Sequence, residues 1–280
     1  MRLSDAAAVS AMQRNLVAVF EALVRAMPGA DSYQGSELCW TLTRVAFAVF
    51  NSIFAARLDA ATAGEQIDAA KARAQRNGVP ILWWTAPGDT PADLAQRLTD
   101  AGFAYAVTLP AMTLDLSRIP QNGAIVNGLD DVTIAAVDDE RSARTWCDVF
   151  AGGFGFPKPI GDEFLPLTIE SARDPNAPYR NYLLSWRGET VATASTMLTG
   201  DVGGIYNVAT LPHVRRRGLG ALLTAHAARD ARSRGASVAV LQSSEAGLRV
   251  YRALGFREHG SFEQFIFTPA STSKERAAAP

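Results

Sequence analysis

Three arginines followed by two spaced glycines, Arg215-Arg216-Arg217-Gly218-Leu219-Gly220, form the segment of this 280-residue chain best suited to chemistry. An apolar strand-like stretch, Gly203 to Ala209, leads into it through Thr210-Leu211-Pro212-His213-Val214, and a helical pattern from Ala221 to Arg234 follows. A strand that turns directly into a helix aims the unpaired first-turn N–H groups at one spot, where the helix dipole also favours negative charge. Gly218 and Gly220 let the backbone approach an oxyanion with no Cβ between, and forked guanidinium donors match phosphate oxygens. The chemistry is that of an anion cradle. A solvated arginine run ahead of an ordinary helix uses the same residues and is the alternative.

A second constellation lies downstream. Val238 to Gln242 reads as a strand, and Ser244, Gly247, Tyr251 and Leu254-Gly255-Phe256 follow at helical spacing with a glycine stop. A phenol such as Tyr251 can deliver a proton to a departing group. A packed core tyrosine is the other reading.

In this order, Pro212-x-x-Arg215-x-x-Gly218-x-Gly220 and Ser244-x-x-Gly247-x-x-x-Tyr251-x-x-Leu254-Gly255-Phe256 resemble the acetyl-CoA signatures of the GNAT superfamily of N-acetyltransferases, over roughly Val132 to Phe267. The resemblance implies an α/β fold with a mixed, mostly antiparallel sheet flanked by helices. It implies that the loop Arg215, Arg216, Arg217, Gly218, Leu219, Gly220 and Ala221 holds the CoA pyrophosphate, chiefly through amides. It further implies that the backbone of Val208, Ala209 and Thr210, on a strand splayed from its neighbour, pairs with the pantetheine arm. Tyr251 falls to the acid that protonates the CoA thiolate. Ser244 and Gly247 complete the cofactor contacts, although many members have Asn and Ala at these two positions.

The expected activity is then transfer of an acetyl group from acetyl-CoA, without a metal, to the primary amine of a small molecule by direct attack. A protein lysine or N-terminal amine as acceptor, and a noncatalytic acyl-CoA sensor, are the alternatives. No residue stands out as the base: the strand before the loop carries Tyr206 and Asn207 and no acid, while Asp162, Glu163 and Glu170 are distant and suit a solvated helix. The loop Gly152-Gly153-Phe154-Gly155-Phe156-Pro157 follows a helix-like run, the wrong context for a dinucleotide fingerprint. In the GNAT resemblance it borders the acceptor, which Phe154 and Phe156 would line; core packing suits them equally.

Composition narrows the classes. A net charge of -1 with 48% hydrophobic and 20% charged residues gives no global bias toward nucleic acid or membrane. Cys39 and Cys147 show no C-x-x-C or metal spacing, and Cys147 reads as a buried thiol rather than a nucleophile. His213, His226 and His259 share no metal spacing. No export signal and no apolar stretch long enough to span a bilayer are read from the sequence, so a cytoplasmic monomer or homodimer is expected.

The elements that must position these residues read as two halves. Residues 1-120 form an N-terminal, degenerate GNAT-like domain, 121-131 a linker, 132-270 the catalytic domain and 271-280 a disordered tail. Ala74-Gln75-Arg76-Asn77-Gly78-Val79 leads into strand, loop, helix and Gly102-Phe103, as Arg232-Ser233-Arg234-Gly235-Ala236-Ser237 leads into strand, loop, helix and Gly255-Phe256. A tandem of related halves and a common pattern reached independently both produce this order. No Arg-x-x-Gly-x-Gly occurs around Ala55 to Glu65, so the first half is expected to bind no CoA. Adjacent Trp83 and Trp84 must face opposite ways on a strand, one toward the core and the other toward an interface.

Overall fold

The computed structural model describes residues 4–119 and 129–270. Most of the 121-131 linker and the whole 271-280 tail lie outside the described residues. The chain forms two compact units, and neither is a continuous half. One contains Met1–Met27 with Leu109–Ser261; the other contains Pro28–Thr108 with Phe262–Pro280. The expected halves, 1-120 and 132-270, therefore differ from the observed ones at both ends.

The first unit opens with α1 (Asp5–Ala26), started by Ser4, whose hydroxyl accepts from the Ala7 N–H at 3.3 Å. It then takes up the end of β5 (Ala104–Asp115), β6 (Val132–Ala136), α4 (Glu140–Phe154), α5 (Lys158–Asp162) and α6 (Leu165–Arg173). Next come β7 (Tyr179–Trp186), β8 (Glu189–Thr199), β9 (Val202–Thr210) and α7 (Leu219–Ser233). The last elements are β10 (Val238–Gln242), α8 (Glu245–Ala253) and the start of β11 (Arg257–Phe267). Within this unit the strands run β5-β10-β9-β8-β7-β6, with β9 and β10 parallel and the other pairs antiparallel.

Neighbouring strand residues face opposite sides. A Cβ on Gly203 would meet Ala231 of α7, and one on Gly204 would collide with Asn15 of α1. α7 and α1 thus cover opposite faces of β9. The core under α7 joins Met112, Leu114, Leu184, Ile205, Leu219, Leu223 and Phe256. On the other face Asn15, fully buried, donates from Nδ2 to the Met197 carbonyl at 3.0 Å and Thr199 Oγ1 at 2.8 Å, and accepts from the Tyr206 hydroxyl at 2.7 Å. α1 is long and apolar enough by composition to cross a bilayer, contrary to the reading of the sequence. Its apolar residues Met12, Leu16 and Leu23 are instead buried in this unit.

The second unit begins with β1 (Asp31–Gln34), β2 (Cys39–Leu42) and β3 (Ser52–Phe54). It continues with α2 (Ala63–Asn77), β4 (Ile81–Thr85) and α3 (Leu94–Asp100). β3 and β4 are parallel, as β9 and β10 are, and the end of β11, Glu263 to Phe267, closes this sheet against β4. Each unit is thus completed by a strand from the other half of the sequence: β5 pairs with β10, and β11 pairs with β4. The sequence reading had no strand at Ala104–Asp115. Its first five residues are exposed, so no buried alternation marks them. Both tryptophans are buried: Trp83 packs edge-on to Phe103, while Trp84 stacks on Phe54 and lies 3.4 Å from Ser52 Oγ.

Candidate active site

The anion loop lies in the first unit, where β9 runs into α7. Gly218 is the N-cap of α7 with φ 84° and no side-chain cap, and Arg216 before it also has positive φ, 62°. Two left-handed residues separated by one turn the local N–H groups toward a common side, the geometry of a backbone anion nest. The first-turn amides of Leu219, Gly220 and Ala221 have no intrahelical acceptor by construction. A Cβ on Gly220 would stand 3.6 Å from Thr210 Oγ1 and 3.9 Å from Val208 Cγ1, so glycine keeps the space between the helix start and the strand open.

The corresponding stretch of the second unit, between β3 and α2, has its amides occupied. The Arg57 N–H donates to the Glu37 carbonyl at 2.6 Å and the Leu58 N–H to the Thr90 carbonyl at 3.1 Å. Asp59 takes the Ala61 N–H on its carboxylate at 2.7 Å and the Ala63 N–H on its carbonyl at 2.9 Å. Donors already paired offer an anion little, which gives a physical reason for reserving the cradle to the first unit.

β9 and β10 diverge as the site requires. Their parallel ladder covers Val202 to Gly204 against Val238 to Val240 and then stops. A bulge in β9 reinforces the divergence: Thr193 faces Ala209 while Ser195 faces Tyr206, and Asn207 takes φ 54°. Asn207 is held there by hydrogen bonds from Nδ2 to the Tyr179 hydroxyl, 2.9 Å, and Ser195 Oγ, 3.2 Å. Val208, Ala209 and Thr210 therefore lie past the end of the ladder. At the end of β10, Gln242 carries a buried side-chain nitrogen without a hydrogen-bond partner among the described residues. An amide-bearing arm between the two strands would meet both the open backbone and this orphan donor, so the residues present fit CoA.

The side chains divide the loop's labour differently from the sequence reading. Arg215 turns away from the cradle, donating from Nε to the Thr210 carbonyl at 3.1 Å and from NH2 to the Gly153 carbonyl at 2.6 Å. It braces the loop against the end of α4, and the Thr210 carbonyl is thereby occupied. Arg217 lies over the Trp186 ring at 5.1 Å, with Arg187 over the same ring at 4.6 Å. Trp186 was not singled out in the sequence, since its contact with the loop crosses 31 residues.

Tyr251 and the loop are linked. Burial pushes its phenol up to about 12, partly offset by a hydrogen bond with Thr224, so the hydroxyl stays protonated at neutral pH. The Thr224 hydroxyl donates to the Gly220 carbonyl at 2.8 Å, one turn back along α7. Gly247 makes room for the ring: a Cβ there would lie 2.7 Å from Tyr251 Cε2. Ser244 is the N-cap of α8, accepting from the Gly247 N–H at 3.2 Å. That bond engages its oxygen in holding the helix that carries Tyr251.

The distant acids and thiol take ordinary places. Asp162 pairs with Lys158 at 3.3 Å, and Glu170 is exposed on α6. Cys147 is buried and its thiol is pushed up to about 12, chiefly by desolvation, which keeps it un-ionised and a poor nucleophile. Phe154 is 46% exposed and stacks on Phe156 at 5.4 Å, next to Gly153, whose backbone lies against Ala209. Among the described residues no three His, Cys, Asp or Glu side chains come together as a metal site.

A splayed parallel strand pair, a glycine-capped nest and a following helix bearing a protonated phenol come together in one α/β unit. Residues 185–265 match the family described as FR47-like protein. The alanine N-acetyltransferase of ribosomal protein bS18 from Escherichia coli is 32% identical over 83 residues, 29% of this chain and 56% of that protein. The match thus spans about half the length of that curated relative. Among solved structures, a GCN5-related N-acetyltransferase from Kribbella flavida is similar at TM-score 0.70 and 20% identity, covering 92% of this chain and 96% of that one. A tandem GNAT protein from the clavulanic acid biosynthesis pathway is similar at TM-score 0.57 and 12% identity, covering 96% and 98%. Residues 185–265 are thus similar to the FR47-like family, and the chain shares the fold of these N-acetyltransferase structures.

Proposed function

We propose that the chain is an acetyl-CoA-dependent N-acetyltransferase acting on the primary amine of a small molecule. The observation that carries the reading is the nest at Arg216 to Ala221, open in the first unit, beside a strand pair whose ladder ends at Gly204. Acetyl-CoA supplies an activated acyl thioester. The loop amides hold its pyrophosphate, the open backbone from Val208 and the Gln242 amide align its arm, and the protonated Tyr251 donates toward the sulfur as the thiolate leaves. Among the described residues no carboxylate stands on β9, so the amine sheds its proton to water or arrives neutral. The Phe154–Phe156 stack beside Gly153 forms an apolar wall for the acceptor.

A second reading has one observation in its favour. The curated relative is an alanine N-acetyltransferase of ribosomal protein bS18, and a peptide amine fits the same chemistry. Calorimetry with acetyl-CoA, followed by thiol release across polyamines, amino sugars and peptides beginning with alanine, tests both. Turnover on small amines supports the first reading and turnover confined to peptides the second. Tight binding with silence throughout points to a noncatalytic acyl-CoA sensor, and absence of acetyl-CoA binding removes the proposal.

We also assign the protein, on its near-neutral charge, no nucleic-acid or membrane partner, and expect a cytoplasmic monomer or homodimer. Size-exclusion chromatography with light scattering tests the oligomeric state.

A further inference from the structure

The bulge in β9 carries Asn207, which is half-buried. Its Nδ2 donates to the Tyr179 hydroxyl at 2.9 Å and to Ser195 Oγ at 3.2 Å. Ser195 is fully buried and sends its own hydrogen to Asn181 Oδ1 at 2.5 Å, so toward Asn207 it can only accept. The atom that meets it must be nitrogen, which decides the direction of the amide. Both hydrogens of that amide are then spent inside the fold. Oδ1 has no donor among the described residues, and the two anchors on Nδ2 hold it in one orientation. The backbone is pinned as well, because the Thr193 hydroxyl donates to the Asn207 carbonyl at 2.9 Å.

This oxygen stands on the face of the sheet opposite α7. Val208 and Thr210 turn toward Gly220 of α7, whereas Ala209 lies against Gly153 of α4 on the other side. The Asn207 network belongs to that other side, where Asn181 donates to Ser171 of α6 at 3.4 Å. The Phe154–Phe156 stack follows Gly153 on the same face. Along the strand, an arm that starts at the nest beside Thr210 and runs back toward the ladder end at Gly204 passes Asn207 on the way. Its thioester is brought level with the free oxygen.

A neutral primary amine has one lone pair and two hydrogens. Accepting one N–H fixes the axis of the lone pair and leaves the second hydrogen free to depart to water. An amide oxygen is too weakly basic to take that proton, so it orients the nucleophile without deprotonating it. Resting on the N-acetyltransferase reading, we propose that Asn207 orients the acceptor, its Oδ1 accepting one N–H of the amine and turning the nitrogen lone pair onto the thioester carbonyl. The N–C bond forms, the C–S bond breaks, the sulfur is protonated and the second amine hydrogen leaves to water.

Two CoA analogues of equal shape test this whatever the natural amine is. S-(N-methylcarbamoylmethyl)-CoA places an N–H at the position of the attacking nitrogen, and S-(2-oxobutyl)-CoA places a CH2 there. In isothermal titration of the full chain the N–H analogue binds about tenfold tighter, as one good hydrogen bond gives. Asn207→Gly accepts the φ of 54° and erases the preference, while acetyl-CoA affinity stays within about threefold. Asn207→Asp keeps an acceptor oxygen and retains the preference. Equal binding of the two analogues by the parent overturns the proposal, as does a preference that survives Asn207→Gly or is lost in Asn207→Asp. A parent that binds neither acetyl-CoA nor the analogues overturns the N-acetyltransferase reading itself, and this proposal falls with it.

Discussion

The Arg215 guanidinium bridges the Thr210 carbonyl, at 3.1 Å, and the Gly153 carbonyl, at 2.6 Å, and so fixes the loop to the strand before it and to the end of α4. Removing it frees the loop without touching the nest amides. Arg215→Ala should weaken acetyl-CoA by about tenfold, since each bond from a charged group contributes roughly 1.5 kcal/mol or more. Calorimetry reads the affinity, and circular dichroism confirms the fold. An unchanged affinity means that the loop holds its shape alone.

Gly218 is the more severe position. Its φ of 84° costs an L-residue about 1–2 kcal/mol, and a branched side chain would crowd the oxyanion path. Gly218→Val should abolish measurable acetyl-CoA binding while lowering the melting temperature by only a few degrees. Retained binding would falsify the nest as the pyrophosphate site.

Tyr251→Phe keeps the ring and removes the proton. Acetyl-CoA affinity should stay within about twofold while kcat falls by roughly 10²–10⁴, the usual range for a general acid. If single-turnover rates of the variant equal those of the parent, the acid lies elsewhere.

Alkaline pH supplies a separate check. Burial raises the phenols of Tyr179, Tyr182, Tyr206 and Tyr251, the first and last to about 12. A folded pKa above the unfolded value near 10 means that the unfolded chain gives up these protons first. Stability is then fully present below about pH 10 and falls as pH rises toward 12. Phenolate absorbance should lag that of free tyrosine until the fold melts. Early ionisation of all the tyrosines in the folded protein contradicts this burial pattern.

Asn15 anchors α1 to β8 and β9 through three hydrogen bonds. Asn15→Leu leaves the Met197 carbonyl and the Tyr206 hydroxyl without these partners and pushes a branched chain toward Gly204. A loss of about 2–4 kcal/mol is expected in urea unfolding. The lever is sharp because the contact joins residues 182 or more positions apart, so nothing local compensates.

Much of the first unit was legible because its signals are local. Gly218 and Gly220 beside the arginines mark a strand-to-helix turn, and Asp139 with Ser142 forms the capping box that starts α4 where its helical pattern begins. The paired strands β7 and β8 flank Arg187-Gly188, whose positive φ values, 53° and 80°, make the turn between them. The bracing of the loop was not legible. Arg215 looks like a phosphate ligand in sequence, and only the carbonyl of Gly153, 62 residues earlier, turns it into a strut.

Residue order alone determined that a helix start near Gly218 would present free amides, since φ sign, missing Cβ and missing N–H partners are properties of a few consecutive residues. It likewise determined that the first half lacks such a loop. The tertiary structure decided which strands complete each unit, sending β5 to β10 and β11 to β4, and which side chains brace the nest. Those outcomes depend on long-range pairing, where the free energy comes from surfaces that meet only after the chain has closed over many residues.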